Sequence, residues 1–292
     1  MFFDEEMILD LRLNILDKYV DKFVITEATY LHSGKPKKLL FDINKFSRFK
    51  DKIIYRVIDD QPSGIETIYP KDNNAEDTRG QKLINNSNKR EHYQREMAIK
   101  SLDEAEPDDI ILINDLDEIP NLNNFNFNKI NKKIIIFKQK MFFYKFNLLH
   151  QGISWHGSRA CKKKHFISPQ WLRDTKHKIY SPWRIDTFFS KMKYSSVHVV
   201  NDGGWHFTNI KSPKDIEKKY LNFLHHQDFE YSGLKLSDIE NMVENRKVIY
   251  DHGVDQKDFK WKGGTTLKKI PLSELPDFIN RNKEKYSNWI ET

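Results

Sequence analysis

Apolar residues recur with two different periods over the first 120 positions, and the alternation predicts helix and strand in turn. In "MILDLRLNIL" (7–16) they stand at 8, 9, 11, 13, 15 and 16, so most can face a sheet from one amphipathic helix. "VDKFVITEA" (20–28) and "DKIIYRVI" (51–58) are rich in β-branched and aromatic residues and predict strands. Met1–Phe3 would be a strand stub ahead of the helix. "HSGKPKKLLF" (32–41) carries Gly34 and Pro36 and predicts a turn. Residues 60–89 are polar and read as a long loop. "REHYQREMAIKSL" (90–102) predicts a helix. After Pro107, "IILIN" (110–114) is apolar on both faces and predicts a central strand.

Further on, "KKIIIFKQKMFFYKFNLL" (132–149) predicts one or two strands, and "SSVHVVNDGGWHFT" (195–208) a strand running into a glycine turn. "SPKDIEKKYLNFLHH" (212–226) predicts a helix with Ser212 as N-cap and Pro213 at its first position. "LSDIENMVENRKVIY" (236–250), with Ser237 ahead of it, and "LSELPDFINRNKEKYSNWI" (272–290) predict two more. The stretch 155–195 is basic, aromatic and irregular. Strand, helix and strand in sequence specify an α/β fold, and neither repeat nor linker divides the 292 residues.

Composition narrows the partners. Hydrophobic residues make up 38% and charged residues 31%, which suits a folded soluble chain. The net charge of +7 favours anionic partners. Its 49 basic residues are interleaved with 42 acids, however, so no nucleic-acid arm is expected. The single cysteine, Cys161, excludes an intrachain disulfide and makes a reducing compartment the default. No apolar window is long enough for a membrane span, and the N-terminus lacks a signal-peptide layout. The expected location is therefore cytoplasmic, with peripheral contact at an acidic membrane left open.

The chemistry concentrates in "IILINDLDEIP" (110–120), where an apolar strand ends on Asp115, Asp117 and Glu118. Ligands of open α/β sheets bind beyond the carboxyl ends of strands. Neighbouring carboxylates repel unless they share a hard cation, and such a cation can hold a diphosphate. Turn-capping acids that bind nothing are the competing reading.

At this point the chain resembles glycosyltransferase family 17, the family of the β-1,4-mannosyl-glycoprotein 4-β-N-acetylglucosaminyltransferases. The blocks that carry the resemblance are 2–41, "REHYQREMAI" (90–99), "DDIILINDLDEIP" (108–120), "GGWHFTNI" (203–210) and "KYLNFLHHQDF" (219–229). It implies one GT-A-like domain over 1–292, a Rossmann-type mixed sheet flanked by helices, with C-terminal helices. Nucleotide-sugar binding would lie mainly in 1–120, the acceptor side mainly in 121–292. It also implies a UDP-sugar donor (UDP-N-acetylglucosamine in known members), Mn²⁺ or Mg²⁺, a glycan acceptor and inversion at the anomeric carbon. The membrane anchor of the animal members has no counterpart here, and 155–194 does not align.

Within that frame Asp117 is expected as the direct metal ligand. Asp115 would reach the ribose or share the metal through water. Glu118 is left between the metal shell, the donor sugar and an ion pair. His206 would be a metal ligand or a diphosphate donor, and Trp205 would stack on the sugar. Asp202 is the expected catalytic base, with Asp186 and Glu230 in reserve. Glu27 could accept from uracil or ribose, and His32, Lys35 and Lys37 could meet phosphate. Gln94 and Arg95 lie on the helix that precedes the metal strand, Arg95 suited to the diphosphate. Trp155, His156, Arg159, Trp171, Arg173 and Trp183 suggest an acceptor surface. A carboxylate-pair glycoside hydrolase and a basic nucleic-acid-binding module are the rival readings.

Overall fold

Helix α1 (Glu6–Leu16) lies where the apolar spacing predicts it and buries Ile8, Leu9, Leu11, Leu13 and Leu16. The structure, a computed structural model, describes residues 1–70, 72, 78–181, 183–223, 226–252, 260–261 and 264–292, with the backbone alone at 187, 188 and 227. Met1–Phe3 forms no strand; the Phe2 N–H donates one bond to the Thr26 carbonyl at 2.8 Å. Strand β1 (Phe23–Ala28) runs parallel to β2 (Ile53–Ile58) in a two-stranded sheet, with Phe23 opposite Ile53.

The 60–89 loop is shorter than expected, because α2 spans Thr78–Glu96. Its buried residues are Asn86, Ser87, Arg90, Gln94 and Arg95. The helical stripe is there, but it is polar, and a search for apolar periodicity passes over it. Two of these groups are matched by specific bonds: Asn86 clasps the Glu66 backbone, and Arg90 donates to Gln61 Oε1 and the His32 carbonyl.

Strand β3 (Ile110–Ile113) was expected in the centre of a continuous sheet. It is an edge instead, in a four-stranded sheet ordered β3-β8-β5-β9, where β5 is Ile134–Phe137, β8 Arg159–Lys162 and β9 Val197–Val200. β3 pairs only with β8, antiparallel; β5 and β9 are parallel. Its other edge faces β1 across a cavity of about 720 Å³ lined by Val24, Thr26, Ile111 and Leu112. A third, five-stranded sheet is ordered β11-β7-β6-β10-β4. It consists of β4 (Glu118–Pro120), β6 (Gln139–Phe143), β7 (Leu148–Trp155), β10 (Gly204–Thr208) and β11 (Lys268–Lys269). The fold is thus mixed α/β, with its described strands in three hydrogen-bonded sheets rather than one.

Helices α3 (Pro169–Asp174) and α4 (Asp186–Phe189) fall in the irregular stretch. After β10 come α5 (Pro213–Tyr220), capped by Ser212 as predicted, α6 (His226–Ser232) and α7 (Leu236–Glu244). α7 starts one residue before Ser237; Asp238 caps it by accepting from the Lys235 N–H. The expected 272–290 helix shrinks to α8 (Asp277–Arg281) between short 3₁₀ turns. Pro276 interrupts it on one side. On the other, Asn282–Lys285 offer no apolar side chain to bury.

The main core ties the sheets together beneath the acids. Leu11 and Leu13 of α1 meet Ile119, Phe137, Phe142, Phe146 and Phe207, each 0–1% exposed. Burying side chains of this size contributes about 1.5–3 kcal/mol each, so the turn between β3 and β4 rests on a rigid floor. Among the described residues no helix is long and apolar enough to cross a membrane.

Candidate active site

Asp115, Leu116, Asp117 and Glu118 form the turn that carries the chain from β3 into β4, closed by the Glu118 N–H on the Asp115 carbonyl at 3.1 Å. β4 then pairs antiparallel with β10, His206 opposite Glu118 and Gly204 opposite Pro120. The Phe207 N–H donates to the Asp117 carbonyl at 2.9 Å. Gly204 has φ +121°, and a Cβ there would collide with the Ile119 carbonyl. That glycine lets the two strands approach closely enough to face His206 with the acids.

The turn sends its acids in two directions. Glu118 is 0% exposed and fully engaged. It accepts from Arg173 (2.7 and 2.8 Å), from the Trp155 indole N–H (2.6 Å) and from the Asp115 N–H (3.0 Å). Gly157 clears the space, since a Cβ there would run into Glu118 Oε1. Of Glu118's three expected roles, the ion pair is the one its contacts make. Asp115 shares the same cation: Arg173 donates to Oδ2 at 2.8 Å and Arg95 to Oδ1 at 3.2 Å. Burial works to raise the Asp115 carboxyl, but Arg173 and then Arg95 outweigh it and hold it well below the usual carboxylate range. Arg95 is itself braced by Glu91 at 2.7 Å. From the other side Arg12 donates to the Asp115 and Glu118 carbonyls at 3.3 and 2.5 Å and to Asn114 Oδ1. Burial draws its guanidinium down to about 10.

Asp117 points elsewhere. Its Oδ1 lies 3.4 Å from His206 Nε2 and its Oδ2 3.9 Å from Lys219 Nζ. Burial opposes ionisation, while His206 and Lys219 favour it, and the net direction is down. His206 Nε2 also meets Thr208 Oγ1 at 2.9 Å, and its ring stacks on Trp155 with centroids 4.9 Å apart. His206 Nδ1 is buried with no partner among the described residues. Asp115, Asp117 and Lys219 open onto a cavity of about 290 Å³ that His32, Lys37, Glu91 and Gln94 also line. His32 Nδ1 is likewise buried without a partner, and desolvation lowers that imidazole.

Among the described residues, no three His, Cys, Asp or Glu converge on one point. Asp115 has both oxygens on arginines. Asp117 and His206 are a two-donor set: cis ligands on an octahedral ion with bonds of about 2.1 Å sit about 3 Å apart. Small divalent ions bind through one or two side chains and complete their shell with water and substrate phosphates, and these two residues fit that pattern.

The other expected residues divide. Gln94 and Arg95 reach the cluster from α2. His32 and Lys37 reach the cavity, whereas Lys35 is exposed in its turn and does not line it. Glu27 is 0% exposed and already saturated. Lys37, the Leu40 and Phe41 N–H groups and the Tyr55 hydroxyl occupy its carboxylate and pin the 35–41 segment to β1. Trp205 alternates away from His206 along β10 and donates its indole N–H to the Glu274 carbonyl at 2.9 Å.

None of the three carboxylates expected as base reaches the cluster. Asp202 is exposed at φ 51° in the turn before β10, five residues along the chain from the Phe207 that bonds the Asp117 carbonyl. Asp186 is partly exposed and held by Arg184 and Lys193. Glu230 is exposed on α6. Cys161 is buried, and desolvation pushes its thiol up to about 12, consistent with no chemical role.

Two groups were missed or misassigned. Arg12 has a sequence signal, a lone cation between Leu11 and Leu13, both fully buried. A charge so flanked must find hydrogen-bond acceptors inside the fold. Arg173 and Trp155, read as acceptor surface, instead build the site itself.

The sequence model of glycosyltransferase family 17 matches residues 1–290. No curated protein matches the chain, and no solved structure does. The family match takes in α1, the acid turn, β10 and the closing 3₁₀ turn alike, and the chain therefore belongs to glycosyltransferase family 17.

Proposed function

We propose that this glycosyltransferase takes its sugar from a UDP-activated donor, N-acetylglucosamine by the family resemblance, and places it on a glycan hydroxyl with inversion. The observation that carries the reading is the open side of the acid turn. Asp117 and Lys219 line a largely apolar cavity of about 290 Å³, and His206 stands behind Asp117 with its Nε2 3.4 Å from the carboxylate. Asp117 and His206 would hold Mn²⁺ or Mg²⁺, which when bound neutralises charge on the departing diphosphate. Lys219 adds a point charge on the same side. His32 presents a buried, unpartnered Nδ1 to the nucleoside half, and Gln94, Lys37 and Glu91 border it. Trp155 backs His206 and keeps its ring oriented.

Asp115, Glu118, Arg95 and Arg173 serve differently in this reading. They fix the turn so that Asp117 is presented without reorganisation, which is where preorganised sites gain most. The reading keeps the GT-A arrangement as its frame: nucleotide at the ends of β1 and β3, acceptor beyond the 155–195 stretch.

The test is a donor screen. UDP release from UDP-N-acetylglucosamine, UDP-galactose and UDP-glucose is followed with Mn²⁺, with and without a chelator. Release from one donor, abolished by the chelator, is expected. Absence of UDP binding by calorimetry, with Mn²⁺ present, would sink the reading.

A further inference from the structure

The loop between α3 and β9 carries chemistry that sugar transfer does not use. It leaves and returns at one point: the Lys176 N–H donates to the Met192 carbonyl at 2.8 Å, and the Trp171 indole N–H to the Lys191 carbonyl at 2.7 Å. Its base is therefore pinned to the fold. Away from the base, Ile179, Trp183, Ile185 and Phe189 are 62%, 91%, 73% and 85% exposed. Apolar side chains scattered singly over a surface are ordinary, but four of them within one closed loop mark an interaction site.

Charge narrows the partner. Residues 176–193 hold Lys176, Lys178, Arg184, Lys191 and Lys193 against one acid, Asp186. Asp186 is taken by Arg184 and Lys193. Lys176, Lys178 and Lys191 make no ion pair among the described residues. A second copy of the chain would bring the same cations face to face, which opposes self-association through this loop. Aromatic and aliphatic tips interleaved with lysines are what the headgroup layer of a membrane accepts. Rings lie at the level of the headgroups, apolar ends enter the acyl boundary, and lysines reach back to lipid phosphates.

We propose that the 176–193 loop docks this protein on an anionic lipid surface, with Trp183, Ile185 and Phe189 in the headgroup layer. The consequence for the enzyme is positional. Lys176 follows Arg173 by three residues, and Arg173 holds Asp115 and Glu118. A docked loop therefore keeps the acid turn within about 20 Å of its own base, on the side of the protein that meets the bilayer. The acceptors this geometry serves are glycans carried at that surface.

Vesicle flotation without any nucleotide tests docking apart from the donor reading. Wild-type protein should float with phosphatidylglycerol–phosphatidylcholine vesicles and not with phosphatidylcholine alone, and binding should weaken as salt shortens the screening length. The double variant Trp183→Ser, Phe189→Ser should lose at least about tenfold in vesicle affinity, as expected when buried apolar area is removed. Thermal melting confirms that this variant folds. A second variant, Lys176→Gln, Lys178→Gln, Lys191→Gln, should weaken binding to anionic vesicles and flatten its salt dependence. Wild-type protein that ignores anionic vesicles overturns the proposal, as does a double variant that binds like wild type. Loop-dependent self-association without vesicle binding, seen by light scattering, also overturns it.

Discussion

The two sides of the acid turn are built on opposite principles. On one side Asp115 and Glu118 are saturated, sharing Arg173 and drawing on Arg95, Trp155 and backbone N–H groups. On the other, Asp117 has a histidine at 3.4 Å and a lysine at 3.9 Å, and a cavity in front of it. Three acids within four residues could not all serve one ion without paying for mutual repulsion. The fold separates them: two are neutralised and hold the turn, and the third is left to act. A D-x-D spacing by itself therefore says little about which acid is the ligand, because alternate residues need not converge.

The sharpest way to break that contrast is to remove the cation on the saturated side. Arg173→Met leaves Glu118 buried and Asp115 short of a partner. Losing one member of a buried ion pair costs about 3–5 kcal/mol. Urea unfolding should show that loss, while Asp117→Asn, measured alongside, should cost well under half as much. Equal losses would mean that the two sides are not different in kind.

On the open side the effect should appear in activity. Asp117→Asn is expected to reduce transfer by about 100-fold or more, in the range lost when one charge-stabilising group is removed from a site. UDP binding in the presence of Mn²⁺ should weaken with it. A variant with normal turnover would remove Asp117 from the mechanism.

Glu27→Gln tests a residue that sequence placed beside the nucleotide and structure places in a clasp. A buried acceptor network that loses its charge should cost about 1–3 kcal/mol of stability. UDP affinity of the folded variant should stay near wild type. A selective loss of UDP binding at full stability would restore Glu27 to the nucleotide.

That residue shows where sequence was legible and where it was not. α1, β1, β2, the β3 position, β9–β10 and the Ser212 cap follow from apolar period and capping chemistry, which are local. The acids at the end of β3 were legible for the same reason. α2 was half hidden because its buried stripe is Asn86, Arg90 and Gln94, and nothing local distinguishes a buried polar stripe from a solvated one. Arg173 was out of reach altogether: its partners lie 55 and 58 residues away, and only the tertiary fold brings α3 onto the turn. Asp202 misled because "NDGGWHF" joins a turn acid to a functional histidine in sequence, while an extended strand separates them in space.

Acid titration sharpens the contrast further. Asp115 is held below the ordinary Asp value of about 3.9. A depressed folded pKa contributes stability that is fully present above the unfolded value and disappears as pH falls through the folded one. The stability gap between wild type and Asp115→Asn should therefore be constant above about pH 5 and close progressively below about pH 4. Urea midpoints at pH 7, 5, 4 and 3 would show it. A gap that does not narrow at all between pH 5 and pH 3 would mean that shape, and not charge, holds Asp115 in the turn.

The smallest effect belongs to Lys219. It is partly exposed and 3.9 Å from Asp117, too far for a tight pair. Pairs of this kind contribute about 0–1 kcal/mol, so Lys219→Met should leave the unfolding midpoint nearly unmoved. Its charge nonetheless sits at the cavity mouth, where a diphosphate would arrive. The variant should bind UDP a few-fold more weakly at low ionic strength, and the deficit should shrink as salt screens the lysine. A salt-independent deficit would make Lys219 a hydrogen-bond donor to the ligand. No deficit at all would move the phosphates away from α5, and with them the assumption that the open side of the turn faces the donor.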